Sequence, residues 1–392
     1  MSWAELVDAE LERQAVEWRR HFHAHPEASF EERETSDFIA QRLAEWGIEA
    51  ERPLATGVVG HVRGPKPGPI VALRADIDAL VMQEENQFDF ASRVPGRMHA
   101  CGHDGHTAIL LAVARLLSSI RDQLKGEVRL LFQPAEERIH GGAEGFVAAG
   151  VLDGVDLVLG MHLWSGFETG LVSVREGPVM ASTDEFRITV RGRGGHAAFP
   201  HQAVDALVAG AQLVCALQTV VSRRVDPLEP AVLTVGTFQA GTAFNVIPGE
   251  AMLTGTVRTL SETVREQMKQ ELDRIVSHSA AALGAEATLD YMDGNPVLVN
   301  DPAASRLMAG AAATIVGQDH LISVPPSLGG EDFAFYARRT PSAYILVGTR
   351  NAETGSTFPH HHPRFTIDER SLGIGIRVLL EGLERYLTTQ GG

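Results

Sequence analysis

The stretch "DEFRITVRG", residues 184–192, alternates charged or polar side chains with apolar ones at period two. Such alternation marks a strand with one face packed and the other wet. Its surroundings decide the fold. The spacing predicts a helix over about 201–222, then strands at "AVLTVGTFQ" (231–239) and "EAMLTGTVRTL" (250–260). A second helix over about 262–283 leads to a last strand at "EATLDYMD" (286–293). The order β-α-β-β-α-β is the ferredoxin-like unit, one four-stranded sheet with both helices on one face.

Upstream the rhythm differs. A first helix is expected over about 3–24, with Leu6, Ala9, Leu11, Val16 and Trp18 at roughly helical spacing, ending before Pro26. A second runs through "EERETSDFIAQRLAEWG" (31–47), where Gly47 is a natural stop. Then "VVGHV" and "IVALRADI" flank the turn "GPKPGP", a helix follows over about 105–119, and "EVRLLFQ" and "VDLVLGMHL" come after it. Short continuous apolar strands separated by helices argue for an α/β sheet covered on both faces. After "GNPV" the chain resumes helix and buried strand ("SAYILVG") and ends in a long helix up to Leu387. The expected fold is therefore α/β, with a larger discontinuous domain over 1–180 and 294–392 and a small domain over 181–293 set inside it. A chain of 392 residues is long enough for two cores.

The bulk numbers exclude several functions. With 34 basic and 50 acidic residues the formal charge is −16, which repels phosphate backbones, and no Lys/Arg cluster with interleaved aromatics appears, so no nucleic-acid partner is expected. Two cysteines, Cys101 and Cys215, cannot build a disulfide framework, which points to a reducing, cytoplasmic setting. Cys215 lies in the apolar stretch "LVCALQTVV" and is expected in the core. No uninterrupted apolar run reaches about 18 residues, so no membrane partner is expected either.

Chemistry concentrates in four places. "MHACGHDGH" (98–106) holds Cys101 and His103 two apart, on the same side of an extended segment, with Asp104 where a helix N-cap belongs. "LLFQPAEER" ends an apolar strand with the adjacent acids Glu136 and Glu137, and the end of a parallel strand is where open α/β sheets hold their ligands. "VDLVLGMHLW" carries His162 near the end of another buried strand, and "FPHHHPRF" sets three histidines before a proline. Thiolate, imidazole and carboxylate together suit Zn²⁺, Mn²⁺, Co²⁺ or Ni²⁺. Read alone, Cys101 with a neighbouring histidine also allows a cysteine hydrolase, which leaves the other four groups without a joint purpose.

Eight motifs in order, "LRADIDAL", "MHACGHDGH", "FQPAEE", "MHLW", "GRGGHAAFPH", "FNVIPGEA", "GGEDFAFY" and "HHPRFTIDE", resemble the M20 metallopeptidases over nearly the whole chain. The branch they look most like is the amidohydrolases of N-acyl amino acids, among them hippurate hydrolase, aminoacylase-like and auxin-conjugate hydrolases. The resemblance implies a two-metal catalytic domain interrupted by a ferredoxin-like lid that also dimerises, giving a homodimer or a dimer of dimers. It implies Cys101, His103, Glu137, His162 and one histidine of the last tract as ligands of two divalent ions. The family register, two residues before the proline, selects His361, although His360 replaces the usual leucine. Glu136 would be the general base, His196 an oxyanion donor reaching into the partner's site, and Asn245 a second donor. Asp78 would orient a ligand histidine, Arg258 would grip a carboxylate, and Glu331 would line the pocket or begin a helix. The implied reaction is hydrolysis of an N-acyl amino acid; a dipeptidase or an N-acetyl-diaminopimelate deacetylase is the alternative on the same scaffold.

Overall fold

The computed structural model of the chain describes residues 2–389. It divides into two compact units: the first runs to Gly177 and includes Val299–Pro325 and the chain from Asp332 on, and the second is Pro178–Leu298 with Pro326–Glu331. The expected insert of 181–293 is narrower than this second unit, because residues 326–331 pair with it: Ala181 donates to the Gly329 carbonyl at 2.9 Å, and Ser327 to that of Val179 at 2.9 Å.

Unit one is built on an eight-stranded mixed sheet. Lys66–Asp76 runs parallel to Lys125–Gln133 on one side and to Leu157–Glu168 on the other, and Ser342–Arg350 continues the parallel set. Val58–Arg63 pairs antiparallel with Lys125–Gln133, so the two strands that flank the "GPKPGP" turn are not neighbours. Val71–Asp76, Leu130–Gln133 and nearly all of Ser342–Arg350 are buried without interruption, as sheets covered on both faces require. The helix His103–Ser119 packs on strand Lys66–Asp76 and on the helices Ala9–Ala24 and Arg370–Thr389.

Two local expectations are corrected. The first helix is a short 3₁₀ turn, Ala4–Leu6, followed by an α-helix from Ala9, because Asp8 breaks the run and caps the second piece through the Leu11 N–H at 2.8 Å. Asp104 is not an N-cap: Gly102 holds that position at φ 96, and Asp104 sits inside the first turn of the helix. Its carboxylate takes the buried Arg19 and His23 instead, each at 2.8 Å.

Unit two is the ferredoxin-like arrangement. Its sheet order is Ala231–Ala240, Glu250–Thr259, Ser182–Arg191, Glu286–Met292, all antiparallel, with the first and third strands of the sequence at the centre. Phe186, Ile188 and Val190 pack against Leu213 and Leu217 of helix Ala206–Arg223 and Met268 and Leu272 of helix Glu262–Ala282. The N-cap Asp205 accepts from Leu207 and Val208 and starts the first of these helices about five residues later than the spacing predicts. That helix is long and apolar enough to cross a membrane, and its Leu213–Leu217–Val220 stripe is buried in the unit-two core. Cys215, expected in that core, is exposed: it falls two residues beyond Leu213, about 200° round the helix from the buried stripe.

Candidate metal centre

The carboxyl ends of the parallel strands of unit one carry the site. Asp76 closes its strand level with Gln133, and the chain runs on through Asp78. Beyond Gln133, Pro134 and Ala135 turn the chain so that Glu136 and Glu137 follow at once; Ala135 takes the left-handed φ of 53°. His162 lies in the middle of Leu157–Glu168, level with Leu346, rather than near the strand end. Cys101 stands on a bend, and His103 is the first residue of its helix, so the pair is not extended as expected; the turn converges them nonetheless.

The donor atoms of Cys101, His103 and His162 lie within 4.8 Å of one another, as do those of Cys101, Glu137 and His361. The two triads share Cys101. His103, Glu136 and Glu137 form a third such group, so Glu136 stands beside the cluster. Cys101 Sγ is 3.6 Å from His162 Nε2, and His361 Nε2 is 3.1 Å from Glu137 Oε1. Glu136 Oε1 accepts the Asp332 N–H at 3.4 Å.

Each imidazole is aimed by what its other nitrogen does. His103 Nδ1 faces the Asp78 carbonyl at 2.9 Å and the Asp78 carboxylate at 3.3 Å, and its Nε2 is buried without a hydrogen-bond partner. His162 Nδ1 faces the Leu163 carbonyl at 2.9 Å, which leaves Nε2 toward Cys101. Of the three consecutive histidines, His361 is the one beside Glu137, and it too has a left-handed φ of 61°. His360 is turned inward, where Nε2 accepts the Ser165 N–H at 3.1 Å; burial and the neighbouring imidazoles push it down to about 3, so it is neutral. His362 stacks on Phe358 and accepts the Arg364 N–H.

Asp78 does more than orient a histidine. Its two oxygens accept the N–H groups of Glu136 at 3.0 Å and Glu137 at 3.1 Å, and the Ser29 hydroxyl at 2.7 Å. Asp76 is not directed at the donor cluster alone: it takes Arg74 at 2.8 Å and His106 Nδ1 at 2.6 Å, while His106 Nε2 accepts the Leu163 N–H. Arg74, wholly buried, also bonds Gln133 and Asp332, tying two strand ends to the turn before helix Ala334–Ala337. The sequence reading passed over Arg74, though its signal was visible: an arginine inside the apolar run "IVALRADI" can be buried only if it is fully paired.

The donor set fits a pair of divalent cations. A thiol, three imidazoles and a carboxylate converge, and a buried Nε2 left without a partner costs free energy that a ligand can recover. The bare thiol argues against the nucleophile reading: burial and the Glu137 charge push Cys101 up, opposite to the shift that activates a cysteine.

The remaining candidates belong to unit two. Val246 pairs with His196 and Ile247 with Gly195 in a two-stranded ladder, and the Asn245 carbonyl accepts the Ala197 N–H, so His196 and Asn245 share one cleft. Its volume is about 580 Å³, and Gly194, Gly195, Gly241 and Gly249 form much of its wall. Arg258 does not line it. Arg258 Nη1 is taken up by the Val257 carbonyl at 3.1 Å and by the Thr256 hydroxyl. Glu331 is buried and begins no helix, since the next one starts at Ala334.

Residues 72–385 match the family model of peptidase family M20/M25/M40. An N-acyl-L-amino acid amidohydrolase of Geobacillus stearothermophilus is 54% identical over 73% of this chain and 78% of its own. An N-acetyl-L-cysteine deacetylase of Bacillus subtilis is 44% identical over 96% of this chain and 89% of its own. Among solved structures, the Bacillus subtilis YXEP protein, described as a dinuclear metal binding peptidase, superposes with a TM-score of 0.86. It is 38% identical and covers 97% of this chain and all of its own.

Proposed function

Since the chain belongs to peptidase family M20/M25/M40, we propose that it is a metal-dependent amidohydrolase that cleaves the amide bond of N-acyl amino acids. The observation that carries this reading is the pair of triads sharing Cys101 with Glu136 alongside. Cys101, His103, Glu137, His162 and His361 are assigned to hold two divalent ions, drawn from Zn²⁺, Mn²⁺, Co²⁺ or Ni²⁺. Bound there, such ions supply Lewis acidity and lower the pKa of a nearby water toward about 7.

The chain's own residues do the rest. Glu136 takes a proton from the attacking water and returns it to the leaving amine nitrogen, so that carboxylic acid and free amino acid depart together. Its backbone is fixed by Asp78, which keeps the carboxylate within reach of the ligand cluster. His196 and Asn245 are assigned to donate hydrogen bonds to the carbonyl oxygen as it gains charge, from the second unit of a partner subunit in a homodimer. Both cysteines are unpaired, in keeping with a cytoplasmic setting.

Enzyme stripped by a chelator and reloaded with each of the four metals, assayed on a panel of N-acyl amino acids and dipeptides, tests the reaction. Activity lost on stripping and restored by metal is expected; activity indifferent to the chelator would return Cys101 to the role of nucleophile. For the subunit assignment, mixing His196→Ala with Glu136→Gln subunits is expected to regain part of the activity that each variant lacks. Verified heterodimers that stay inactive would remove it.

A further inference from the structure

Glu32 has a buried side chain that neither the ligand cluster nor the sheet core accounts for. It is 0% exposed, it stands at the N-cap of helix Arg33–Glu45, and yet it makes no capping bond. Glu27 does that work in its place, accepting the N–H groups of Arg33 at 3.1 Å, Glu34 at 3.1 Å and Thr35 at 2.8 Å. The Glu32 carboxyl is therefore free to turn inward, where Oε1 accepts the N–H of Ala135 at 2.8 Å.

That contact falls on the one residue of the "FQPAEE" turn with a left-handed backbone. Ala135 is buried at φ 53, a conformation that costs an alanine and that glycine adopts freely. A strained residue persists only where its surroundings over-determine it. Here both of its peptide groups are held: the N–H by Glu32, and the carbonyl by the Gly142 N–H at 3.1 Å. The next two N–H groups, those of Glu136 and Glu137, go to Asp78. Glu32 and Asp78, both buried, thus hold three successive amides, the last two being those of the base and a metal ligand.

We propose that Glu32 is a positioning residue, whose bond to the Ala135 N–H holds the left-handed turn that sets Glu136 beside the ligand cluster and Glu137 within it. The proposal rests on the roles assigned above to Glu136 and Glu137. Outer partners of a metal site are worth roughly 10–100-fold in affinity or activity.

The test pairs two changes. Glu32→Leu removes the acceptor while filling its space; it is expected to lower kcat roughly 10–100-fold with little change in KM, and to weaken zinc retention against a chromogenic chelator by a similar factor. Glu32→Gln keeps an acceptor oxygen and is expected to stay near the parent. The decisive arm is Ala135→Gly in the Glu32→Leu background. Glycine needs no clamp to hold φ 53, so both kcat and zinc retention are expected to recover most of the loss. A double variant as impaired as Glu32→Leu alone overturns the proposal, as does a Glu32→Leu protein with unchanged kcat and zinc retention. Should Glu32→Leu fail to fold, Ala135→Val on the parent chain serves in its place. A β-branched side chain opposes the same φ and is expected to reproduce the loss; parent-like behaviour there overturns the proposal. If Glu136→Gln proves active, the base assignment fails, while zinc retention still reports whether Glu32 holds the turn.

Discussion

Unit one buries His23, His99, His103, His106 and His162 together with Asp76, Asp78, Asp104 and Arg74. Unit two buries two carboxylates, Asp184 and Glu331, and keeps His196 and His201 exposed. Both units have an apolar core of the ordinary kind, so the difference lies in what else each can keep from water. A buried charge is tolerable only when it is paired and hydrogen-bonded. In the sheet of unit two the Asp184 carboxylate meets that demand through Arg265, Tyr291 and the Gly294 N–H. In unit one the demand is met many times over by linked groups, and His103 Nε2, buried without a partner, stands among the donor atoms of Cys101, His162, Glu136 and Glu137. Sulfur, imidazole and carboxylate donors brought within 4.8 Å of one another are what separate a candidate site from a scaffold.

Three substitutions sharpen this contrast. The largest effect is expected from Glu136→Gln, which keeps shape and removes the base: kcat should fall by roughly 10²–10⁴-fold with metal content unchanged. Metal analysis beside steady-state kinetics checks it, and surviving activity would break the assignment. Next comes unit two. Asp184→Ala leaves the Arg265 guanidinium and the Tyr291 hydroxyl without their common partner, and removing one member of a buried pair costs about 3–5 kcal/mol. Denaturant unfolding should show that loss while bound metal per folded molecule stays the same.

The smallest of the three is a pH effect confined to unit one. His99 is buried with neither ring nitrogen partnered, and burial pushes it down to about 4. In the unfolded chain a histidine titrates near its usual value of about 6.5. As pH falls from about 6.5 toward 4, the unfolded state takes up a proton that the folded state refuses, so stability drops by up to about 3 kcal/mol across that window. Above it the group contributes no pH dependence. His99→Phe should flatten that part of the stability curve; an unchanged slope between pH 4 and 6.5 would show that the proton goes elsewhere.

Much of the candidate site could be read from the chain because metal ligands need particular atoms, and few residue types supply them. Cys101, His103, Glu136, Glu137 and His162 stood out as sulfur, imidazole and adjacent carboxylates beside apolar strands, and the resemblance narrowed the histidine tract to His361. What could not be read was the turn geometry. Asp104 looks like an N-cap in the sequence because the helix period begins after it, yet Gly102 at φ 96 takes that place and releases Asp104 to Arg19 and His23. Cys215 looks like core because its neighbours are apolar, yet a helix of almost wholly apolar sequence can bury only one stripe against a sheet.

By itself, the sequence determined most element types, the insertion of a βαββαβ unit in an α/β chain, and the chemical classes of the candidate ligands. Each of these depends on local periodicity or on atom type. The tertiary structure alone decided which atoms meet: that His360 turns inward to the Ser165 N–H, that Arg74 joins Gln133 to Asp332, and that Glu32 reaches Ala135 from 103 residues away. Those pairings are set by strand order and by which polar groups the fold removes from water, and neither leaves a mark on the spacing of residues along the chain.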